Sequence, residues 1–282
     1  MPIASLIVPI LLQAGPDPAT GGIPDYSAEV QDRSPIDTAE PVGPRIEQTW
    51  LEQCFELADG DPARAHVKAQ LQRDSTSGPE RILANHCLGL AATNLGRWEE
   101  AQLAFLTARD ESPAEDLALR ARLGAMAGNA ALPPGDMQTA LSLFEQAEAD
   151  ARASKSADLI ALVEVDKARA LAGLNRFEEA EALLRDAAKL RPTDGEAPLL
   201  LATLMRRLDR LDEAQEVIAR AAELDPANPS IGLEAGVIAV LSGREGAARQ
   251  SWQSVISTAP GSDEAEVAQI YLDELGPASG GQ

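Results

Sequence analysis

The residues best equipped for chemistry in this 282-residue chain are Cys54, Cys87, His66 and His86, which are all of its cysteines and histidines. Two thiols can form a disulfide, or they can sit reduced as small buried hydrophobes. Each cysteine falls on the first helix of its own helix pair, and such helices are neighbours when pairs stack. A Cys54–Cys87 bond is therefore expected as one alternative. In the chain-entropy model it would stabilise the first pair by about 3–4 kcal/mol. Two thiols plus two imidazoles also make up the usual number of zinc ligands. Adjacent residues on a helix point to different sides, however, so His86 and Cys87 do not converge on one ion. No metal and no cofactor is expected.

Proton-transfer chemistry has little to work with. His66 and His86 are the only groups titrating near neutrality, and neither accompanies a Ser or Cys nucleophile in a recognisable motif. No glycine-rich phosphate loop is present. Glu99-Glu100 and Glu178-Glu179 look like acid pairs, but they recur at one register and suit the positive end of a helix. The chain is read as non-enzymatic, with no catalytic residue.

Composition narrows the partner. Lys plus Arg is 24 against 45 for Asp plus Glu, a net charge of −21. That field repels a phosphate backbone and an anionic membrane surface, so nucleic acid is disfavoured. Aromatics are only 3%, which argues against a large sheet sandwich. Apolar residues are 45%, many of them alanine and leucine, and point to packed helices.

The ends differ from the middle. Ile3 to Ala14 is an apolar run too short to span a bilayer but of the length of a signal-peptide core, with Leu12-Gln13-Ala14 as a cleavage site. No Lys or Arg precedes it, and Pro9 lies within it. Residues 1–14 are read as a signal peptide. Residues 15–44, with Pro16, Pro18, Pro24, Pro35, Pro41 and Pro44 among Gly, Ser, Thr and acids, are read as a disordered linker. A helical-repeat domain then spans 45–275, and 276–282 form a flexible tail.

The middle repeats. Gly89, Gly128, Ala168, Ala202 and Gly236 are 39, 40, 34 and 34 residues apart. Three further columns keep the same steps: Ala101, Ala140, Ala180, Ala214 and Ala248; Phe105, Phe144, Leu184, Ile218 and Trp252; Ala108, Ala147, Ala187, Ala221 and Val255. Pro113, Pro192, Pro226 and Pro260 close four of the units, with Arg152 in the remaining place. Within one unit, Leu83, Leu88, Leu90 and Leu95 make an apolar face, and Gly96 permits a left-handed turn. Glu99 and Glu100 open a second helix whose Ala101, Phe105 and Ala108 face inward, and Pro113 stops it. Each unit is thus two antiparallel helices, which must stack on neighbours to bury their faces. The expected units are a degenerate first pair at 45–73, repeats at about 82–115, 121–154, 161–194, 195–228 and 229–262, and a closing helix at 263–275. The two longer steps place five and six extra residues between units, since the spacing from the glycine column to the alanine column is constant.

These columns resemble the tetratricopeptide repeat. Its pattern of Leu-Gly, then Ala-x3-Phe, then Pro is matched by Leu88-Gly89, Ala101, Phe105 and Pro113. It is matched again by Ala214, Ile218 and Pro226, and by Ala235-Gly236, Ala248, Trp252 and Pro260. The family's leading Trp and its Tyr are replaced by Asn85 and Ala92 in the first clear unit. The resemblance implies an all-α fold, a right-handed superhelical solenoid of antiparallel helix pairs. It also implies a concave groove, lined by the first helix of each pair, that binds peptides or partner surfaces.

Helical spacing from the small columns puts Leu83, His86, Leu90, Thr93 and Asn94 on that face, then Arg122, Ala125 and Asn129, then Leu162, Val165 and Arg169. The later units add Glu196, Leu199, Thr203, Arg206 and Arg207, then Ser230, Leu233, Val237, Val240 and Leu241. The groove residues singled out are His86, Asn94, Arg122, Asn129, Arg169, Thr203, Arg206, Arg207, Leu233 and Val237. The arginines suit a partner with acidic or carboxylate groups. The alternative is that they pair with local acids such as Glu164 and Asp166.

The resulting expectation is a scaffold holding a segment of another protein, exported to a bacterial-type periplasm or secreted, with no membrane span in the mature chain. The alternative is a cytoplasmic tetratricopeptide adaptor or chaperone-like module.

Overall fold

The computed structural model describes residues 45–276. The expected signal peptide at 1–14, the linker at 15–44 and tail residues 277–282 lie outside the described residues. Thirteen α-helices make up the secondary structure of the described residues. They are α1 (Arg45–Gly60), α2 (Pro62–Ser75), α3 (Pro79–Asn94), α4 (Trp98–Glu111), α5 (Leu117–Ala131), α6 (Met137–Ser154) and α7 (Ala157–Gly173). They continue as α8 (Phe177–Leu190), α9 (Glu196–Arg207), α10 (Leu211–Leu224), α11 (Pro229–Leu241), α12 (Glu245–Thr258) and α13 (Asp263–Leu275). The described residues fold as an all-α helical solenoid. Its described residues form two compact units, one ending at Leu174 and the other beginning at Asn175. Among the described residues, no helix is long and apolar enough to cross a membrane.

The turn inside each pair follows one rule. Gly96, Gly135, Asn175, Asp209 and Gly243, which share the repeat's spacing, all adopt positive φ. This left-handed residue lets the next amide reach back into the finished helix. Arg97 N–H donates to Ala92 O at 2.8 Å, Arg210 N–H to Met205 O at 2.9 Å and Arg244 N–H to Ala239 O at 2.8 Å. The helix that follows begins without a side-chain cap in α4, α8, α10 and α12, and carries acids in its first turn instead. Of the helices entered from between units, α5, α7, α11 and α13 use side-chain caps at Asp116, Ser156, Asn228 and Ser262, whereas α3 and α9 start at Gly78 and Gly195.

The two long steps lengthen helices. α10 has 14 residues and α11 has 13, whereas α6 has 18 and α7 has 17. α5, with 15 residues, also starts a turn earlier relative to its small column than α11 does.

The core is built where the small column of a first helix receives the bulky column of its second helix. A Cβ added to Gly89 would lie 2.4 Å from the Phe105 ring, one on Gly128 2.5 Å from Phe144, and one on Gly236 2.1 Å from Trp252. No real Cβ tolerates such distances. Where the small residue is Ala202, the bulky partner column carries the aliphatic Ile218. Trp252 also donates from Nε1 to Leu233 O at 3.1 Å and packs on Tyr271, ring centroids 5.2 Å apart. At the other end α1, α2 and α3 pack around Cys54, Ala58, Ala65, Ala69, Cys87 and Ala91.

Candidate functional site

In the unit ending at Leu174, α3, α5 and α7 carry the face expected to meet a partner. Leu83, His86, Leu90 and Thr93 are partly exposed along α3. Asn94 is exposed and donates from Nδ2 to Ala58 O of α1 at 2.9 Å. His86 lies between two rings, with centroid distances of 5.1 Å to Phe55 and 6.2 Å to Phe105. Its Nε2 is buried without a hydrogen-bond partner. Burial, and secondarily the Arg122 guanidinium, pushes its pKa down to about 4, so the ring is neutral at pH 7.

On α5, Arg122 and Asn129 are partly exposed, and Ala125 is buried. Asn129 donates from Nδ2 to Asp166 Oδ2 of α7 at 2.9 Å. Asp166 is 1% exposed and also accepts from Arg169 Nη1, one turn along α7. Glu164, likewise buried, is paired 2.6 Å from Arg152 Nη2. Arg152 also binds Glu148, which Lys167 meets from α7 at 2.7 Å. Leu162 is partly exposed and Val165 is buried.

In the unit beginning at Asn175, Arg206 of α9 and Glu234 of α11 form a buried ion pair, Nε to Oε1 at 2.6 Å and Nη2 to Oε2 at 3.3 Å. Thr203 is buried and donates to Leu199 O. Val237 is 1% exposed and belongs to the core around Trp252 and Tyr271. Thr203, Arg206 and Val237 were expected to face a partner, and the structure corrects this. Arg206 is drawn in by Glu234 of the next first helix, and Val237 by the core around Trp252. Arg207 is exposed, with its guanidinium 5.7 Å from the Phe177 ring centroid. Leu233, Val240 and Leu241 remain partly exposed.

Several of these contacts share one register. Cys87, Met126, Asp166, Leu200 and Glu234 keep the repeat's own steps. At three of the five places this column ties a first helix to the preceding one. Glu234 meets Arg206, Asp166 meets Asn129, and the Cys87 sulfur lies within bonding distance of Cys54, Cα atoms 6.1 Å apart. Asp166 was legible as a local acid. Glu234 was not singled out, although its place in the column was visible.

His66 lies on α2, outside the first-helix face. It is buried between α2 and α4, with Nε2 2.8 Å from Glu100 Oε1 and 3.3 Å from Arg97 Nη1. Among the described residues, no group of three or more His, Cys, Asp or Glu is placed to hold a metal ion.

The columns and turns now stand beside an independent comparison. Residues 171–235 match the family model for the tetratricopeptide repeat. That segment carries the tetratricopeptide repeat. The fold likeness extends well beyond the matched segment. PilW, described as a widely conserved type IV pilus biogenesis factor, superposes with a TM-score of 0.62 at 18% identity, covering 80% of this chain and 100% of its own. A thermophilic tetratricopeptide repeat protein of Thermus thermophilus gives 0.54 at 19% identity, covering 67% and 97%. The apo quorum sensor NprR of B. thuringiensis gives 0.61 at 13% identity, covering 80% and 69%. At these identities the likeness is one of fold. A sequence search of curated proteins returns no match.

Proposed function

We propose that this tetratricopeptide chain is a non-enzymatic scaffold that seats a segment of a partner protein on the first-helix face of its units, in the bacterial cell envelope. The observation that carries this reading is what the first helices leave uncovered. Leu83, His86 and Leu90 in one unit, and Leu233, Val240 and Leu241 in the other, stay partly exposed on a face whose charged groups largely satisfy one another. Apolar side chains beside internally paired charges offer a partner area to bury rather than ions to neutralise. A partner carboxylate would meet Arg207, whose guanidinium is exposed and braced on Phe177. Arg169 and Arg206 already hold acids of the chain itself. The envelope assignment is supported by the bonding distance between Cys54 and Cys87 and by the fold likeness to PilW.

The test is site-specific photo-crosslinking in the native host, with the crosslinker at Leu90 or Leu233 and, as a control, at Leu103, which is 66% exposed on the second helix α4. A discrete partner trapped from the first two positions and not from the third is expected, weakened by Arg207→Glu. Equal trapping at Leu103 would overturn the reading of the face. Intact mass of the native protein tests the compartment, with a chain beginning after Ala14 expected and an uncleaved chain contradicting export.

A further inference from the structure

The cysteine pair sits where it can do more than staple. α1 is the first described helix of its unit, and the buried ones among its described side chains are Cys54 and Ala58. Against them lie Ala65 and Ala69 of α2, and Cys87, Leu88 and Ala91 of α3. An alanine buries little more than a methyl group, so this core gives α1 weak apolar purchase. Trp50, Leu51 and Leu57 help only from partly exposed positions. The sulfur bridge closes a loop of 33 residues and ties α1 to α3 covalently.

α1 can also leave alone. Only Asp61 separates it from α2. Asp61 caps α2 through its own side chain, which accepts from Arg64 N–H at 3.1 Å. α2 has its own tie to α4 through the buried His66, whose Nε2 meets Glu100. What α1 covers is the N-terminal end of the first-helix face. Phe55, next to Cys54, packs on His86, next to Cys87, and Ala58 O receives Asn94 Nδ2.

The geometry points to a redox latch: the Cys54–Cys87 disulfide holds α1 and its Phe55 against His86, and reduction releases α1 and uncovers His86 and Leu90 for a partner. This rests on the reading of that face as the binding surface. The reductant is a dithiol. One of its thiolates attacks a cysteine sulfur and the Cys54–Cys87 bond breaks. Its second thiolate displaces the mixed disulfide, leaving the reductant oxidised, and both cysteines end as thiols. Both sulfurs are buried, so attack follows transient opening of α1.

The test compares the full chain, oxidised and reduced with dithiothreitol, by hydrogen exchange and by NMR titration of His86. Reduction is expected to speed amide exchange at least about tenfold in α1 and toward the C-terminal half of α3, with α5 to α7 unchanged. The His86 midpoint should rise from about 4 toward the ordinary histidine value. Cys54→Ala/Cys87→Ala should reproduce the reduced state; if that variant does not fold, the reduced native chain decides. Unchanged exchange in α1, or exchange that rises across the whole unit, would overturn the latch. Neither measurement uses a partner, so release of α1 on reduction together with crosslinking that still fails at Leu90 in the reduced chain would sink only the binding reading.

Discussion

Arg206 donates from Nε to Glu234 Oε1 at 2.6 Å, and their side chains are 2% and 4% exposed. A guanidinium that looked poised for a partner's carboxylate is spent on an acid of the next repeat. Desolvating both ions costs most of what their attraction returns, so the pair acts chiefly to fix how α9 and α11 meet.

Removing one member of that pair should cost far more than removing both. Arg206→Ala is expected to lower stability by about 3–5 kcal/mol, because Glu234 stays buried without its counter-ion. Arg206→Met with Glu234→Leu should recover most of that loss. Urea unfolding at pH 7 of the native chain, Arg206→Met, Glu234→Leu and the double variant checks it, and additive effects would remove the pair from this role.

The glycine column makes a second, steric prediction. Gly236→Ala places a methyl group 2.1 Å from Trp252 Nε1. The core must shift, at an expected cost of about 1–3 kcal/mol. Gly236→Ala combined with Trp252→Ile copies the Ala202 and Ile218 columns of the preceding repeat. In that background the alanine should cost at least about 1 kcal/mol less than it does alone. Thermal or urea unfolding measures the difference, and equal costs in both backgrounds would mean that the two columns are not coupled.

His86 predicts a pH dependence. Its folded pKa of about 4 lies below the ordinary value of 6.5, because burial disfavours the charged ring. Between those values the unfolded chain binds the extra proton. Stability is therefore full above about pH 6.5 and falls as pH drops toward 4, with a loss of about 2 kcal/mol by pH 5. Other groups titrate in the same window, so the readout is the difference from His86→Gln, whose stability should fall less between pH 7 and pH 5. Parallel curves for the two proteins would place the proton elsewhere.

The repeats were legible because their determinants are local. A left-handed residue at one register, acids in the following turn and small and bulky columns at helical spacing define each pair without reference to distant residues. Even the substitution of Asn175 and Asp209 for glycine at that turn is readable, since both types tolerate positive φ. Helical spacing assigns Leu83, His86 and Leu90 to one edge of α3, and all three are partly exposed.

What the sequence by itself determined was the unit: its period, its turn and the small and bulky columns that meet inside each pair, all set within some forty residues by backbone geometry and side-chain size. Only the tertiary structure decided how units use their charges. Arg206 and Glu234 are 28 residues apart, and Asn129 and Asp166 are 37 apart. Whether a polar group meets water, a partner or another repeat depends on how closely successive first helices approach. That distance is a property of the stack, and it turned expected ligands into internal ties.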